Sequence, residues 1–175
     1  MATTKGDFVF NLAITVPVNP PGAEPVVNAT EFWTGLRRGG ANPELFAVYV
    51  ARTEVLPNPT SDLVFQRRLH MADGAVHTKE GATIDQDVRL ADNLLCEGVT
   101  MGNGSRSTII LSHGGQSTDG PNDLYLSAVY ELHVPGVEPG SAQAAEIETN
   151  YTTLARGAAN TVVQKVREWK IDDKL

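Results

Sequence analysis

The sequence predicts an α+β fold in which a curved antiparallel sheet of about seven strands wraps one long C-terminal helix. Three observations carry that reading. Segments of alternating apolar and polar residues recur between Phe8 and Val134, separated by glycine-, proline- and asparagine-rich turns. One long stretch, Ser141 to Lys170, instead spaces its apolar residues in steps of three and four: Ile147, Tyr151, Leu154, Ala155, Ala158, Val162, Val166 and Trp169. Two short helical patterns stand between the first strand and the others. A sheet with one apolar face must be covered, and the stripe on the long segment is its match.

Taken in order, Phe8 to Val16 alternates, with Phe8, Phe10, Leu12, Ile14 and Val16 on one face. Val18 to Gly22 breaks it. Asn28 with Glu31 three residues on reads as a capping box, followed by Phe32, Trp33 and Leu36 at helical spacing and by a stop at Gly39-Gly40. Asn42-Pro43 restarts one helical turn, with Asn42 as its cap. Strands follow at Val48 to Leu56, Leu63 to Met71, Thr83 to Leu90, Asn93 to Met101, Ser107 to His113 and Leu124 to Val134. The turns between them are signalled by Pro57-Asn58-Pro59, Asp73-Gly74 and Gly102-Asn103-Gly104. Ser141 is the N-cap of the long helix, and Gly157 is its one weak interior position.

Composition narrows the function. The 175 residues form one domain, 1–175, with no repeat or linker, and the net charge of −7 comes without any basic run. Phosphate-backbone binding needs clustered lysine and arginine, so nucleic acid is not the expected partner. No apolar run approaches membrane-spanning length. Met1 to Asp7 lacks a signal-peptide pattern, and the lone Cys96 cannot form an internal disulfide. The expectation is a cytoplasmic protein, a monomer or weak homodimer. The sequon-like triplets at Asn28, Asn103 and Asn150 are read as silent.

Among residues able to do chemistry, Arg67 is the most informative. It shares a strand face with Leu63, Phe65, Leu69 and Met71, so it points toward the apolar side unless a bulge turns it out. A buried guanidinium cannot shed its proton and needs acceptors. Either it is bonded to a backbone carbonyl, to Gln86 or to an acid across the sheet, or it anchors an anionic or carbonyl oxygen of a ligand. Tyr130, among Leu126, Ala128 and Leu132, and Tyr151 on the helix stripe are either locally bonded core tyrosines or donors to a ligand oxygen. Ala128, between large neighbours, leaves room for a pocket. His113 alternates with Ile109 and Leu111 and is the histidine placed to face inward, unless the strand end beside Gly114-Gly115 exposes it. Glu97 is read either inward with Leu95 and Val99 or outward, opposite Cys96.

His70 and His133 fall on polar faces and His77 in a turn, at spacings that make no zinc site, so no metal is expected. Cys96 reads as a buried structural thiol rather than a nucleophile. Gly102 to Ser105 lacks a following lysine and helix, so it is a hairpin and not a phosphate loop. The polar connection Gly114-Gly115-Gln116-Ser117 with Asp119-Gly120-Pro121 is either an ordinary surface loop or a gate.

The element order, with the segments Ala29 to Arg37, Asn42 to Phe46, Phe65 to Leu69, Leu124 to Glu131 and Asn160 to Glu168, carries a likeness to known proteins. It resembles the Bet v 1-like, or START-like (SRPBCC), helix-grip fold, and within it the AtaL-like family of fungi and bacteria. Where the family pattern often has an acidic residue this chain has Gln86, which loosens any charge-pair role for Arg67. The family includes proteins encoded beside secondary-metabolite pathways, which implies small, apolar, often cyclic ligands. The expected function is a cofactor-free isomerase, cyclase or dehydratase holding an apolar intermediate in a cavity between sheet and helix. Arg67 and Tyr130 would steady developing negative charge, and His113 or Glu97 would move a proton. Tyr151, Gln86, Phe65, Leu69, Ala128, Leu126, Leu154 and Ala158 would line the substrate site. The competing expectations are a carrier for a hydrophobic small molecule and, more remotely, a partner-regulating protein.

Overall fold

The computed structural model describes residues 6–57, 59–76, 78–115 and 123–175. Asn58 of the proline turn, His77, and the Gln116-Ser117 and Asp119-Gly120-Pro121 pieces of the polar connection lie outside the described residues. The elements are β1 (Phe8–Pro17), α1 (Ala29–Ala41), a 3-10 turn (Pro43–Leu45), β2 (Val50–Val55), β3 (Val64–Met71), β4 (Thr83–Ala91), β5 (Leu95–Thr100), β6 (Arg106–His113), β7 (Leu124–Val134) and α2 (Ala142–Ile171). The seven strands form one antiparallel sheet in the order β1-β7-β6-β5-β4-β3-β2. The sheet is a run of neighbouring hairpins except where β1 returns beside β7, Phe8 opposite Val134 and Pro17 opposite Tyr125. This is the helix-grip arrangement.

Local chemistry explains each boundary. Asn28 accepts a hydrogen bond from the Glu31 N–H at 3.0 Å while Glu31 accepts from the Asn28 N–H at 3.0 Å, the reciprocal cap read from the sequence. Lys170, near the end of α2, donates to Glu31 and, with the cap, holds its carboxyl below the usual range against the opposing effect of burial. Ser141 accepts from the Ala144 N–H at 3.1 Å and opens α2. Gly102 and Gly104 take positive φ, +97° and +75°, in the turn between β5 and β6.

Several strand ends shift by one residue, and four boundaries differ from expectation for a visible reason. Gly39 and Gly40 do not stop α1; they lie inside it, because a side chain at Gly39 would be driven into the Phe46 ring, 1.7 Å from where its Cβ would stand. Asn42 holds the N-cap position of the 3-10 turn but makes no side-chain cap bond there; its side chain donates to the Arg38 carbonyl at 3.1 Å and so finishes α1. β2 begins at Val50, since Val48 is 88% exposed, and β5 begins at Leu95, since Asn93 takes a left-handed turn conformation.

The core lies between the inner face of the sheet and α2. Leu124, Leu126 and Ala128 of β7 are fully buried with Ala155, Ala159, Val162, Val163 and Val166 of α2 and with Phe32 and Leu36 of α1. At about 25 cal/mol per Å², burying each such large side chain contributes on the order of 2 kcal/mol. Among the described residues no helix is long and apolar enough to cross a membrane.

Candidate ligand-binding site

Sheet and helix do not close on each other everywhere. A cavity of about 200 Å³ remains between them, walled by inner-face residues of β3 to β7, by α1 and the segment after it, and by Tyr151, Leu154, Ala158 and Val162 of α2. Those α2 residues explain why the helix stripe is not uniformly buried. Tyr151, Leu154 and Ala158 are half-buried because they face the cavity, while Ala155, Ala159 and Val163 pack against the core.

Arg67 reaches the cavity by strand register. Arg67 pairs with Gln86, and Gln86 with Thr100, so the three inward side chains form a row across β3, β4 and β5. The guanidinium donates twice to Gln86 Oε1, from Nε at 3.0 Å and from Nη2 at 2.7 Å. Nη1 donates to the Gly40 carbonyl at the C-terminal end of α1. That carbonyl belongs to the last helical turn, which lacks intrahelical partners and carries the negative end of the helix dipole. Gln86 in turn donates to Thr100 Oγ1 at 3.3 Å. Gly98 on β5 leaves room for the pair: a Cβ there would sit 3.0 Å from Arg67 Nη2 and 3.2 Å from Gln86 Oε1, tighter than ordinary contact. Burial lowers the arginine's proton affinity, but a guanidinium stays charged in proteins. The same burial pushes the neighbouring Cys96 thiol up, with the Arg67 charge pulling the other way.

The second polar feature is a group of tyrosines. Tyr130 of β7 and Tyr151 of α2 meet edge to face with ring centroids 5.5 Å apart, and Phe10 adds a second edge contact to Tyr151 at 6.3 Å. Tyr49, just before β2, joins them in the lining. Burial pushes all three hydroxyls above the ordinary tyrosine range. Their proximity adds to this for Tyr130 and Tyr151, so they act as neutral donors at physiological pH. The walls between the two polar features are apolar, among them Phe46, Leu69, Met71, Ile84 and Ile109.

Of the residues expected at the site, Arg67, Gln86, Leu69, Tyr130, Tyr151, Leu154 and Ala158 line this cavity. Five others do not. Leu126 and Ala128 belong to the packed core, since their end of β7 lies directly under α2, and the space read beside Ala128 is filled. Phe65 faces inward but at the other end of β3, where it lines a separate surface groove with Arg37, Arg38 and Leu90. His113 has the inward parity, yet it is the last residue of β6 and is exposed. Glu97 faces outward: its neighbours Cys96 and Gly98 are the buried ones, and it lies 3.6 Å from both Arg89 and Arg106. Tyr49, Gly98, Gly40 and Thr100 were missed. Tyr49 sat at the edge of a strand whose start was placed two residues early, and a backbone carbonyl or an absent side chain leaves no signal in sequence periodicity. Among the described residues no cluster of three potential metal ligands is present.

Fold and cavity together define a helix-grip protein with a partly enclosed, mainly apolar, tyrosine- and arginine-marked chamber. The model of one family, described as "Acetylaranotin biosynthesis cluster protein L" (AtaL), matches residues 12–173, and the chain belongs to that family. Acetylaranotin biosynthesis cluster protein L of Aspergillus terreus is 50% identical over 173 residues, covering 99% of this chain and 97% of the relative. Among solved structures, the solution structure of KanY protein superposes with a TM-score of 0.57 at 8% identity, over 90% of this chain and 97% of that one. The crystal structure of Ara h 8.0201 does so with a TM-score of 0.55 at 12% identity, over 92% and 98%. These structural likenesses bear on the fold, which is Bet v 1-like.

Proposed function

We propose that this protein is a cofactor-free enzyme of secondary-metabolite biosynthesis that isomerises or cyclises an apolar cyclic intermediate inside the chamber. The observation that carries the reading is the chamber itself: apolar walls between helix and sheet, with three buried, protonated tyrosine hydroxyls on one side. The name of the Aspergillus terreus relative, a biosynthesis cluster protein, supports the substrate class. Holding one reactive conformer removes much of the entropic cost of ring closure, and effective molarities of that origin reach roughly 10⁵ M and above. A tyrosine hydroxyl aimed at a carbonyl oxygen stabilises it as negative charge develops, most strongly where water is excluded.

One observation favours a second reading, a carrier that binds the intermediate without changing it. His113 and Glu97, the two residues expected to move protons, both lie off the chamber, which leaves donors there in the majority. Incubating candidate cluster intermediates with the wild type and with Tyr130→Phe and Tyr151→Phe separates the two. Turnover by the wild type that falls in both variants supports the enzyme. Intermediates recovered unchanged but bound to the protein support the carrier, and recovery unchanged and unbound rejects both.

A further inference from the structure

We infer that the ligand of this chamber carries an anionic oxygen group, a carboxylate or a stabilised enolate, and that it seats that group on Arg67. The inference rests on the chamber being the binding site and goes beyond that reading by fixing the ligand's charge and orientation.

The argument is a count of charge and of donors. Arg67 is 6% exposed, yet among the described residues no carboxylate lies within ion-pair distance of it. Its partners are an amide oxygen and a backbone carbonyl, both dipoles with no net charge. Glu44 is near enough for its charge to be felt, but its carboxylate accepts a hydrogen bond from Thr53 and makes none with Arg67. Among the described residues Arg67 is therefore the one buried charge of the wall, since Arg106 and Glu131, which also border the chamber, are exposed. A buried cation hydrogen-bonded only to neutral dipoles is costly, and an arriving anion recovers part of that cost.

Hydrogen-bond capacity points the same way. A guanidinium has five N–H groups. Three are used, one from Nε, one from Nη1 and one from Nη2, so one on each terminal nitrogen is left over. Two N–H groups on the paired terminal nitrogens suit the two oxygens of a carboxylate, or one oxygen of an enolate. Gly98 helps by its missing side chain, because a Cβ there would crowd the guanidinium, 3.0 Å from Nη2. The tyrosines complete the selection. They are neutral donors at a separate part of the wall, suited to an uncharged carbonyl or ether oxygen, and they would not themselves compensate a charge. The ligand is thus placed lengthwise: anionic end at β3 and β4, apolar body against Leu69, Ile84 and Ile109, neutral oxygen toward Tyr130 and Tyr151.

Gln86 is the natural point of attack, because Gln86→Glu keeps the shape and supplies the missing carboxylate from the protein. The test is calorimetric titration of the full chain at pH 7 with 2-naphthoate and 2-naphthamide, probes of one shape that differ in charge. The wild type should bind the naphthoate at least about tenfold more tightly, as a charge-assisted pair predicts. In Gln86→Glu the preference for naphthoate over naphthamide should vanish, because the new carboxylate then neutralises the Arg67 charge. Gln86→Met, which removes the amide and leaves the cation, should retain the preference; its melting curve and that of Gln86→Glu verify folding. The wild-type comparison stands alone should either variant not fold. Naphthamide bound as tightly as naphthoate by the wild type, or a preference that survives in folded Gln86→Glu, overturns the inference while leaving the chamber as a binding site. No binding of either probe at millimolar concentration overturns both.

Discussion

The chamber has two polar regions, and they are built on opposite plans. At one, a single charged side chain ties three elements together: Arg67 of β3 bonds Gln86 of β4 and the last turn of α1. At the other, Tyr130 of β7, Tyr151 of α2 and Tyr49 of the segment before β2 contribute neutral hydroxyls. The difference follows from solvation. A buried charge needs several strong acceptors from the protein, which makes it part of the scaffold, whereas burying a neutral hydroxyl costs far less. The charged region is therefore fixed by the fold, and the tyrosine region is where side-chain chemistry can be changed without unfolding the protein.

The largest effect that separates the two regions should come from Arg67→Met. Removing the guanidinium leaves the Gly40 carbonyl and the Gln86 oxygen buried without their donors, and at 1–3 kcal/mol for each orphaned group the loss should be about 3 kcal/mol. A urea denaturation midpoint measures it; a loss under about 1 kcal/mol would mean the guanidinium is not part of the scaffold. Tyr130→Phe is its counterpart. Stability should change by less than about 1 kcal/mol, while turnover of a cognate intermediate falls about tenfold or more. Equal stability losses in the two variants would erase the contrast.

Alkali should distinguish the regions next. Burial raises the Tyr130 and Tyr151 hydroxyls above their ordinary value of 10.0 in the folded state. Above pH 10 the unfolded chain therefore loses tyrosine protons that the folded chain keeps, and the unfolded state binds fewer protons. Stability is fully present below pH 10 and falls as the pH rises beyond it, by roughly 1.4 kcal/mol per pH unit for each such group. Melting temperatures of the wild type from pH 9 to 11 should drop more steeply than those of Tyr130→Phe. Parallel curves would place the hydroxyl in water.

Gly98→Ala probes the rigidity of the charged region. An added methyl in place of glycine gains about 0.5 kcal/mol or more by restricting the unfolded chain. Here it meets Arg67 Nη2 at 3.0 Å, and three hydrogen bonds stop that group from moving aside. The clash should win, with a net loss of about 1 kcal/mol and weaker naphthoate binding. A net gain would show the guanidinium to be mobile.

Period and caps made the scaffold legible. Alternation located every strand, the Asn28 and Glu31 pair opened α1, and the stripe from Ile147 to Trp169 gave α2 its inner face. Parity also turned Arg67, Gln86 and Tyr130 inward. It failed where position along a strand matters more than face. His113 has the right parity at the exposed end of β6, Phe65 and Ala128 have it where the walls meet, and Glu97 lies on a strand whose residues alternate too weakly to fix a face. The Gly40 carbonyl and the room above Gly98 depend on how α1 crosses the sheet, which no local pattern encodes. The chamber is thus legible as a set of inward residues but not as a volume.

The smallest effect has the opposite sign. Gly157 lies in the middle of α2 on its exposed side, and a Cβ built there meets nothing within 4 Å. It is therefore not a packing glycine, and the helix runs unbroken through it from Ala142 to Ile171. A Cβ at position 157 meets no atom of the chamber wall or of the sheet within 4 Å, so an added methyl leaves both in place. Gly157→Ala should stabilise the protein by a little under 1 kcal/mol, the difference in helix propensity between the two residues. A rise of a few degrees in the melting temperature checks this. Naphthoate association and dissociation rates measured on the same variant decide whether the glycine does more. If a bend at this position admits ligand, both rates should slow together while affinity is unchanged. If the rates hold and only the melting temperature rises, α2 is a fixed wall, and entry must be sought at its rim.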